Sequence, residues 1–285
     1  MWNAVVARDT SFSYSFLVLP DAQRQAIGLV WDFCRAVDDA VDEAPDPQTA
    51  ESQVLAWRDE VARLFGSDMP RTPQAQRLKP IVAEFHLTRQ PFDDLVDGVE
   101  MDLWRSRYDT FDELVEYCRR VASAVGLICI EIFGCRDTRS RDYAVSLGLA
   151  LQLTNIIRDV RVDLERDRIY LPREDLARFG VSEEMLKAGR VTGEIRQLLA
   201  HQCQRARQFF AAASQAMPPH EARKLVAAEI MGGIYYAILE RVEQRSYDVF
   251  SEVIRVPKAT RAGIALAIWA RTQLAAWQTA LLTRS

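Results

Sequence analysis

The chain has little of what builds a stapled or soft-metal protein. It carries five cysteines, at 34, 118, 129, 135 and 203, with no C-x-x-C pair. That odd count argues against a disulfide framework or a zinc site, and reads as reduced, buried thiols in a cytoplasmic protein. Three scattered histidines supply no metal triad. No uncharged apolar run reaches the ~20 residues of a membrane span, and the stretch 127–133 is interrupted by Glu131. No basic segment leading into an apolar run opens the chain, so no secretory leader is expected. Basic residues are dispersed and the net charge is −4, which leaves no footprint for nucleic acid. G-x-S-x-G, G-x-x-x-x-G-K-[ST], H-E-x-x-H and G-x-G-x-x-G are all missing, so the commonest hydrolase, nucleotide, zinc-protease and dinucleotide signatures are absent.

What is present is helical periodicity, in a chain of 285 residues that is 49% hydrophobic. The pattern predicts helices near 2–18, 21–43, 47–66, 74–87, 91–106, 110–134, 137–164, 192–216, 219–246 and 258–282, with the prolines, Pro80 included, at the breaks. Asp21, Thr110 and Ser182 are expected as N-caps. No strand alternation, repeat or long linker divides the chain, so residues 1–285 are read as one all-α domain. Residues 262–282 are apolar on much of their circumference. That allows peripheral contact with a membrane, although packing on the core is the reading favoured by pattern.

Two stretches carry chemistry. In Gln152-Leu-Thr-Asn155-Ile-Ile-Arg158-Asp159-Val-Arg-Val-Asp163, helical spacing gathers Gln152, Asn155, Asp159 and Asp163 on one face, with Gly148 and Val145 on its earlier turns. In Trp31-Asp-Phe-Cys-Arg35-Ala-Val-Asp38-Asp39-Ala-Val-Asp42, the residues Gly28, Trp31, Arg35, Asp38, Asp39 and Asp42 share a face. Both faces run from small or apolar to anionic. Like charges at i, i+4 repel, so two such clusters imply a cation between them. Paired carboxylates with an amide suit Mg²⁺, which completes its octahedron with water and substrate phosphates. Facing helices of a bundle are a usual setting for such a site. Arg166 and Arg168 add cations beside the second cluster, either for a diphosphate or to neutralise Asp163 and Glu165. Tyr117, Val121, Ala124 and Ile128 share another face, where the tyrosine either fills the core or lines a cavity and stabilises a passing cation. The acidic run 93–107 is read mainly as a solvated face, with Val99 and Leu103 turned inward. Acid clusters, guanidinium groups and an apolar slot together fit metal-assisted departure of diphosphate from an allylic lipid.

These motifs resemble the squalene/phytoene synthase family of head-to-head prenyl transferases. Arg35-x-x-Asp38-Asp39-x-x-Asp42 is similar to its first aspartate-rich motif. Gln152-x-x-Asn155-x-x-Arg158-Asp159-x-x-x-Asp163 is similar to the second, continued by Arg168-Ile-Tyr170-Leu-Pro172. Tyr117-Cys-x-x-Val121-Ala-x-x-Val125-Gly126 and Ser11-Phe12-Ser13-Tyr14 also fit. The resemblance implies an isoprenoid synthase helical bundle with a central apolar cavity. It implies Mg²⁺, or Mn²⁺, on Asp38, Asp39, Asp42, Asn155, Asp159 and Asp163, with Gln152 assisting. Arg35, Arg158 and Arg168 would contact diphosphate, Tyr117 would sit at the reacting centre, and Ser11, Phe12, Tyr14, Tyr170 and Tyr247 would contact substrate. Val121-Ala-Ser-Ala-Val-Gly126, Asp97-Gly-Val-Glu-Met-Asp102-Leu, Met231-Gly-Gly-Ile-Tyr235 and Arg245-x-Tyr247-Asp-Val-Phe250 resemble the bacterial hopanoid-pathway presqualene diphosphate synthases. The expectation is therefore condensation of two farnesyl diphosphates to presqualene diphosphate, without NADPH, by a monomer or homodimer. The alternatives are a phytoene or dehydrosqualene synthase, an NADPH-dependent squalene synthase, or a non-catalytic helical scaffold. Asp159→Asn and Asp38→Asn are expected to abolish turnover with little effect on folding.

Overall fold

The computed structural model describes residues 15–282, with side chains through 274; the predicted contacts Ser11, Phe12 and Tyr14 lie outside these. Apart from one isolated parallel bridge between Arg107 and Ile169, the described chain folds as helices joined by short turns, as its periodicity predicts. They are α1 (Asp21–Asp42), α2 (Pro47–Phe65), α3 (Pro73–Phe85), α4 (Gln90–Trp104), α5 (Phe111–Cys118), a π-helical turn (Arg119–Ser123), α6 (Ala124–Ile132), α7 (Thr138–Arg158), α8 (Val160–Leu164), α9 (Arg173–Phe179), α10 (Glu183–Lys187), α11 (Gly193–Ala216), α12 (Val226–Gln244) and α13 (Lys258–Leu282). Side-chain caps start several of them. Thr110 accepts from the Glu113 amide, Ser182 from Met185, Thr192 from Ile195 and Asp46 from Thr49, each satisfying an otherwise orphan donor of a first turn.

The bundle is built around α7. From Leu147 to Arg158 every residue of this helix is buried, the pattern of a helix surrounded on all sides. It packs on α11, on the π turn and α6, and on α12. Two glycines permit the closest approaches. A Cβ at Gly148 would lie 2.7 Å from the Cα of Ser123, and one at Gly98 would lie 2.7 Å from the Cβ of Arg120. The π turn is thus clasped between α4 and α7 by backbone-to-backbone contact. α1 packs on α2, α3 and α4 through Ile27, Val30, Phe33 and Val37.

Several boundaries differ from the periodicity. Asp21 is the first residue of α1 rather than its cap. Pro80 lies inside α3 on its exposed side, where water reaches the carbonyl that the missing N–H leaves unpaired. The predicted helix 110–134 is interrupted by the π turn, and 137–164 is broken at Asp159. The predicted helix 219–246 opens as a 3₁₀ turn and becomes α-helical only at Val226. The short helices α9 and α10 fill a stretch without predicted elements. α13 does not bury itself in the core. Of its described part only Arg261 is buried, Ile264, Ala265 and Ile268 rest on Val226, Ile230 and Ile234, and Leu266, Trp269 and Leu274 face solvent.

Candidate active site

The second aspartate motif spans the end of α7, and its break at Asp159 has a visible cause. Adjacent side chains on an α-helix point about 100° apart and do not face each other. Here Arg158 donates from Nε and Nη2 to the two carboxylate oxygens of Asp159, at 2.8 and 2.6 Å, with both groups buried. That forked pair between sequence neighbours requires the backbone to leave helical geometry, and Asp159 has φ −100° and ψ 12°. One turn on, Asp163 is buried and its Oδ1 has no hydrogen-bond partner. Burial, and then the Asp159 charge, push its carboxyl well above the ordinary 3.8. Asn155 donates to Gln152 Oε1 at 3.4 Å, while its own Oδ1 is buried without a partner.

The first motif faces this region across a bridge of arginines. Asp42 accepts from Arg168 Nη1 at 2.8 Å and from Arg166, both in the turn after α8. Burial opposes ionisation of Asp42, but the surrounding cations, Arg168 and Arg166 among them, hold its carboxyl below the usual range. Asp39 is raised by partial burial and by Glu43, against the attraction of Arg35, which stands 3.7 Å away. The two acidic stretches therefore meet. Among the described residues, however, no three acidic, histidine or cysteine side chains converge as a ready metal cage. The donor set still fits a hard cation: two buried oxygens, on Asp163 and Asn155, lack partners, and buried polar atoms are nearly always satisfied in folded proteins. Asp42 and Asp159 would have to exchange an arginine for the ion.

A third carboxylate joins them. Asp102 of α4 accepts from Tyr117 at 2.9 Å and from Tyr170 at 2.8 Å. The ring of Tyr170 stacks on Tyr117 and on Tyr108, at 5.2 and 5.8 Å between centroids. Burial raises the Asp102 carboxyl despite these donors and the nearby Arg168. The pairing of residues 106–108 with 169–173, seen in the amides of Ile169 and Arg173 bonding to the carbonyls of Ser106 and Tyr108, brings α4 to this place. Sequence reading missed Asp102 by assigning its stretch to a solvated face. The available signal was spacing: Leu95, Val99 and Asp102 follow i, i+4, i+7, which puts the carboxylate on the apolar side.

An apolar cavity runs beside these groups. Its walls are Val30 and Trp31 of α1, Ala122 of the π turn, Val125, Gly126 and Cys129 of α6, Leu147, Gly148 and Leu151 of α7, and Met231 of α12. The expected apolar slot is present, with two changes. Gly28 and Val145 are not among its walls, and Val145 instead gives its carbonyl to Ser123 Oγ at 2.9 Å. The π turn's extra residue moves the lining of the middle helix to Ala122, Val125, Gly126 and Cys129, away from the predicted face through Val121, Ala124 and Ile128. Tyr117 is fully buried with its hydroxyl on Asp102 rather than on this wall. Tyr247 is half-buried, with Glu243, Arg207 and the buried Cys203 thiol near it.

The family model for squalene/phytoene synthases matches residues 5–261. The chain is 38% identical over 261 residues to 15-cis-phytoene synthase of Synechococcus elongatus, covering 87% of this chain and 84% of that one. It is 37% identical to the chloroplastic phytoene synthase 2 of Solanum lycopersicum over 258 residues, covering 87% and 82%. Among solved structures, a dehydrosqualene synthase in complex with a ligand matches with a TM-score of 0.83 at 25% identity, over 94% of each chain. The squalene synthase HpnC from Alicyclobacillus acidocaldarius matches at 0.75 and 32% identity, over 85% of this chain and 91% of its own.

Proposed function

Since this chain belongs to the squalene/phytoene synthase family, we propose that it is a head-to-head prenyl transferase of the phytoene synthase kind, joining two geranylgeranyl diphosphates with loss of diphosphate. The observation that carries this choice is the naming of relatives at 37–38% identity over most of their length as phytoene synthases. It displaces the expectation from motif detail, presqualene diphosphate from two farnesyl diphosphates. That remains the second reading, supported by the 32% identity to HpnC.

In this reading Asp38, Asp39 and Asp42 on one side, and Asn155, Asp159 and Asp163 on the other, hold Mg²⁺ or Mn²⁺. Bound there, such an ion would supply positive charge for a departing diphosphate. Arg35, Arg158 and Arg168 bind the same group through forked contacts, and Gln152 keeps the Asn155 amide turned toward it. The apolar cavity excludes water from the carbocation. The Tyr117–Asp102–Tyr170 group lies off the cavity wall and near Arg168 and Asp163, where its buried carboxyl steadies positive charge at the diphosphate end. No reductant takes part.

The test is incubation of purified protein with Mg²⁺ and either geranylgeranyl or farnesyl diphosphate, with product mass measured with and without NADPH. A C40 hydrocarbon from geranylgeranyl diphosphate alone is expected. Presqualene diphosphate from farnesyl diphosphate selects the second reading, squalene formed only with NADPH selects a reducing synthase, and no diphosphate release from either substrate removes the enzymatic reading.

A further inference from the structure

A second hollow lies outside the central cavity, bounded by α11, α12 and α13. Its floor is apolar, made by Leu147, Phe210, Ala213 and the backbone of Gly232, and its rim carries Arg207, Tyr236 and Arg271. Leu147 lines both spaces, so its side chain is part of the wall between them. At that point α12 is bare: a Cβ at Gly232 would already lie 3.2 Å from Leu147 Cδ1. One turn earlier a polar strut crosses the same wall. Tyr143 lines the central cavity and donates at 2.7 Å to Glu229, which lines the outer groove. Beyond the cavity wall at Leu147 and Tyr143, the catalytic reading above uses none of these groups.

Among the described residues, two routes for a prenyl tail leaving the central cavity can be compared. At the acidic end it would pass among Asp42, Asp159, Asp163 and their arginines, where displacing hydrogen-bonded charge is costly. Across Leu147 it stays on apolar surface, which preserves about 25 cal/mol for each Å² kept from water. Leu147 is the apolar side chain that would have to swing aside on that route. The groove then delivers the chain to α13, whose Leu266 and Trp269 are exposed beside the groove-lining Ile268.

We infer that the groove between α11, α12 and α13 receives the apolar tail of the product as it leaves the central cavity, with Leu147 as the gate. This rests on the reading of the chain as a prenyl transferase. Ser214→Trp fills the groove from its exposed rim without reaching the central cavity. Diphosphate released in the first turnover should keep its rate to within about twofold, while steady-state turnover falls about tenfold as release becomes limiting. A steady-state rate within about threefold of the unaltered chain, in a variant of unchanged melting temperature, overturns the inference. A second arm needs no catalysis. Ser214→Cys labelled with acrylodan should shift its emission to the blue when geranylgeraniol is added, and Leu147→Trp should leave that shift in place. If the unaltered chain releases no diphosphate, the functional reading fails and the groove stands or falls on this shift alone.

Discussion

Asp159 and Asp163 stand one turn apart in opposite electrostatic settings. Asp159 is neutralised by a buried forked arginine, whereas Asp163 is buried beside a like charge with an unpartnered oxygen. The two substitutions that look alike in sequence should therefore differ. Asp159→Asn strands the Arg158 charge and should cost about 3 kcal/mol of stability, which corrects the expectation that folding is little affected. Asp163→Asn should stabilise the metal-free protein at neutral pH by about 1–2 kcal/mol, since it removes a carboxyl whose ionisation is opposed by burial and the Asp159 charge. The sign with pH follows from the raised folded pKa of Asp163. Its favourable contribution is complete below the ordinary 3.8 and is lost as pH rises through the folded value. The advantage of Asp163→Asn should therefore vanish in acid below that ordinary value. Thermal unfolding of both variants in EDTA, at neutral and acid pH, checks both statements. Tyr117→Phe leaves Asp102 with the Tyr170 donor alone. It should cost about 1 kcal/mol of stability and lower kcat at least about tenfold with KM little changed. Equal losses in affinity and turnover would remove Tyr117 from the reacting centre.

At the scale of elements, the sequence disclosed helices well and their interruptions poorly. Apolar spacing and caps such as Thr110 and Ser182 are local, so they could be read directly. The break at Asp159 depends on a forked pair between neighbours that the uninterrupted period conceals. The π turn at Arg119–Ser123 leaves no local composition mark; its position coincides with the backbone approaches of Gly98 and Gly148, which belong to distant stretches. The acid motifs were legible because repeated like charge is unusual, and Asp102 was hidden by the acidic run around it. Gly148→Ala tests the clasp. Its Cβ would meet the backbone of Ser123 at 2.7 Å, so α7 and the π turn must separate. A loss of about 1–3 kcal/mol is expected, with a falling melting temperature and a changed product ratio as the cavity wall moves.

Taken whole, the molecule pairs an enclosed apolar interior with one exposed apolar edge. Among the described residues no helix is long and apolar enough to cross a membrane. Yet Leu17, Leu266, Trp269 and Leu274 are exposed, and Val18 packs on the same Val226, Ile230 and Ile234 cluster as Ile264, Ala265 and Ile268. If this edge meets lipid, replacing Leu266, Trp269 and Leu274 with Ser should lower co-sedimentation with phosphatidylcholine vesicles about tenfold, while turnover in detergent is retained. Unchanged sedimentation would assign the edge to some other contact.

The clasp of Arg166 and Arg168 on Asp42 also constrains how the first ligands arrive. A carboxylate occupied by guanidinium groups is a poor seat for an ion, and guanidinium groups occupied by a carboxylate are a poor seat for an anion. Each ligand prepares the place of the other, and thermodynamic reciprocity makes the two affinities rise by the same factor. Calorimetry should find Mg²⁺ and inorganic pyrophosphate each weak alone and at least about tenfold tighter together, with most of that mutual gain gone in Arg168→Gln. If these residues serve as proposed, the arginine-clasped carboxylate would act as a two-key lock, weak toward a lone cation or a lone phosphate.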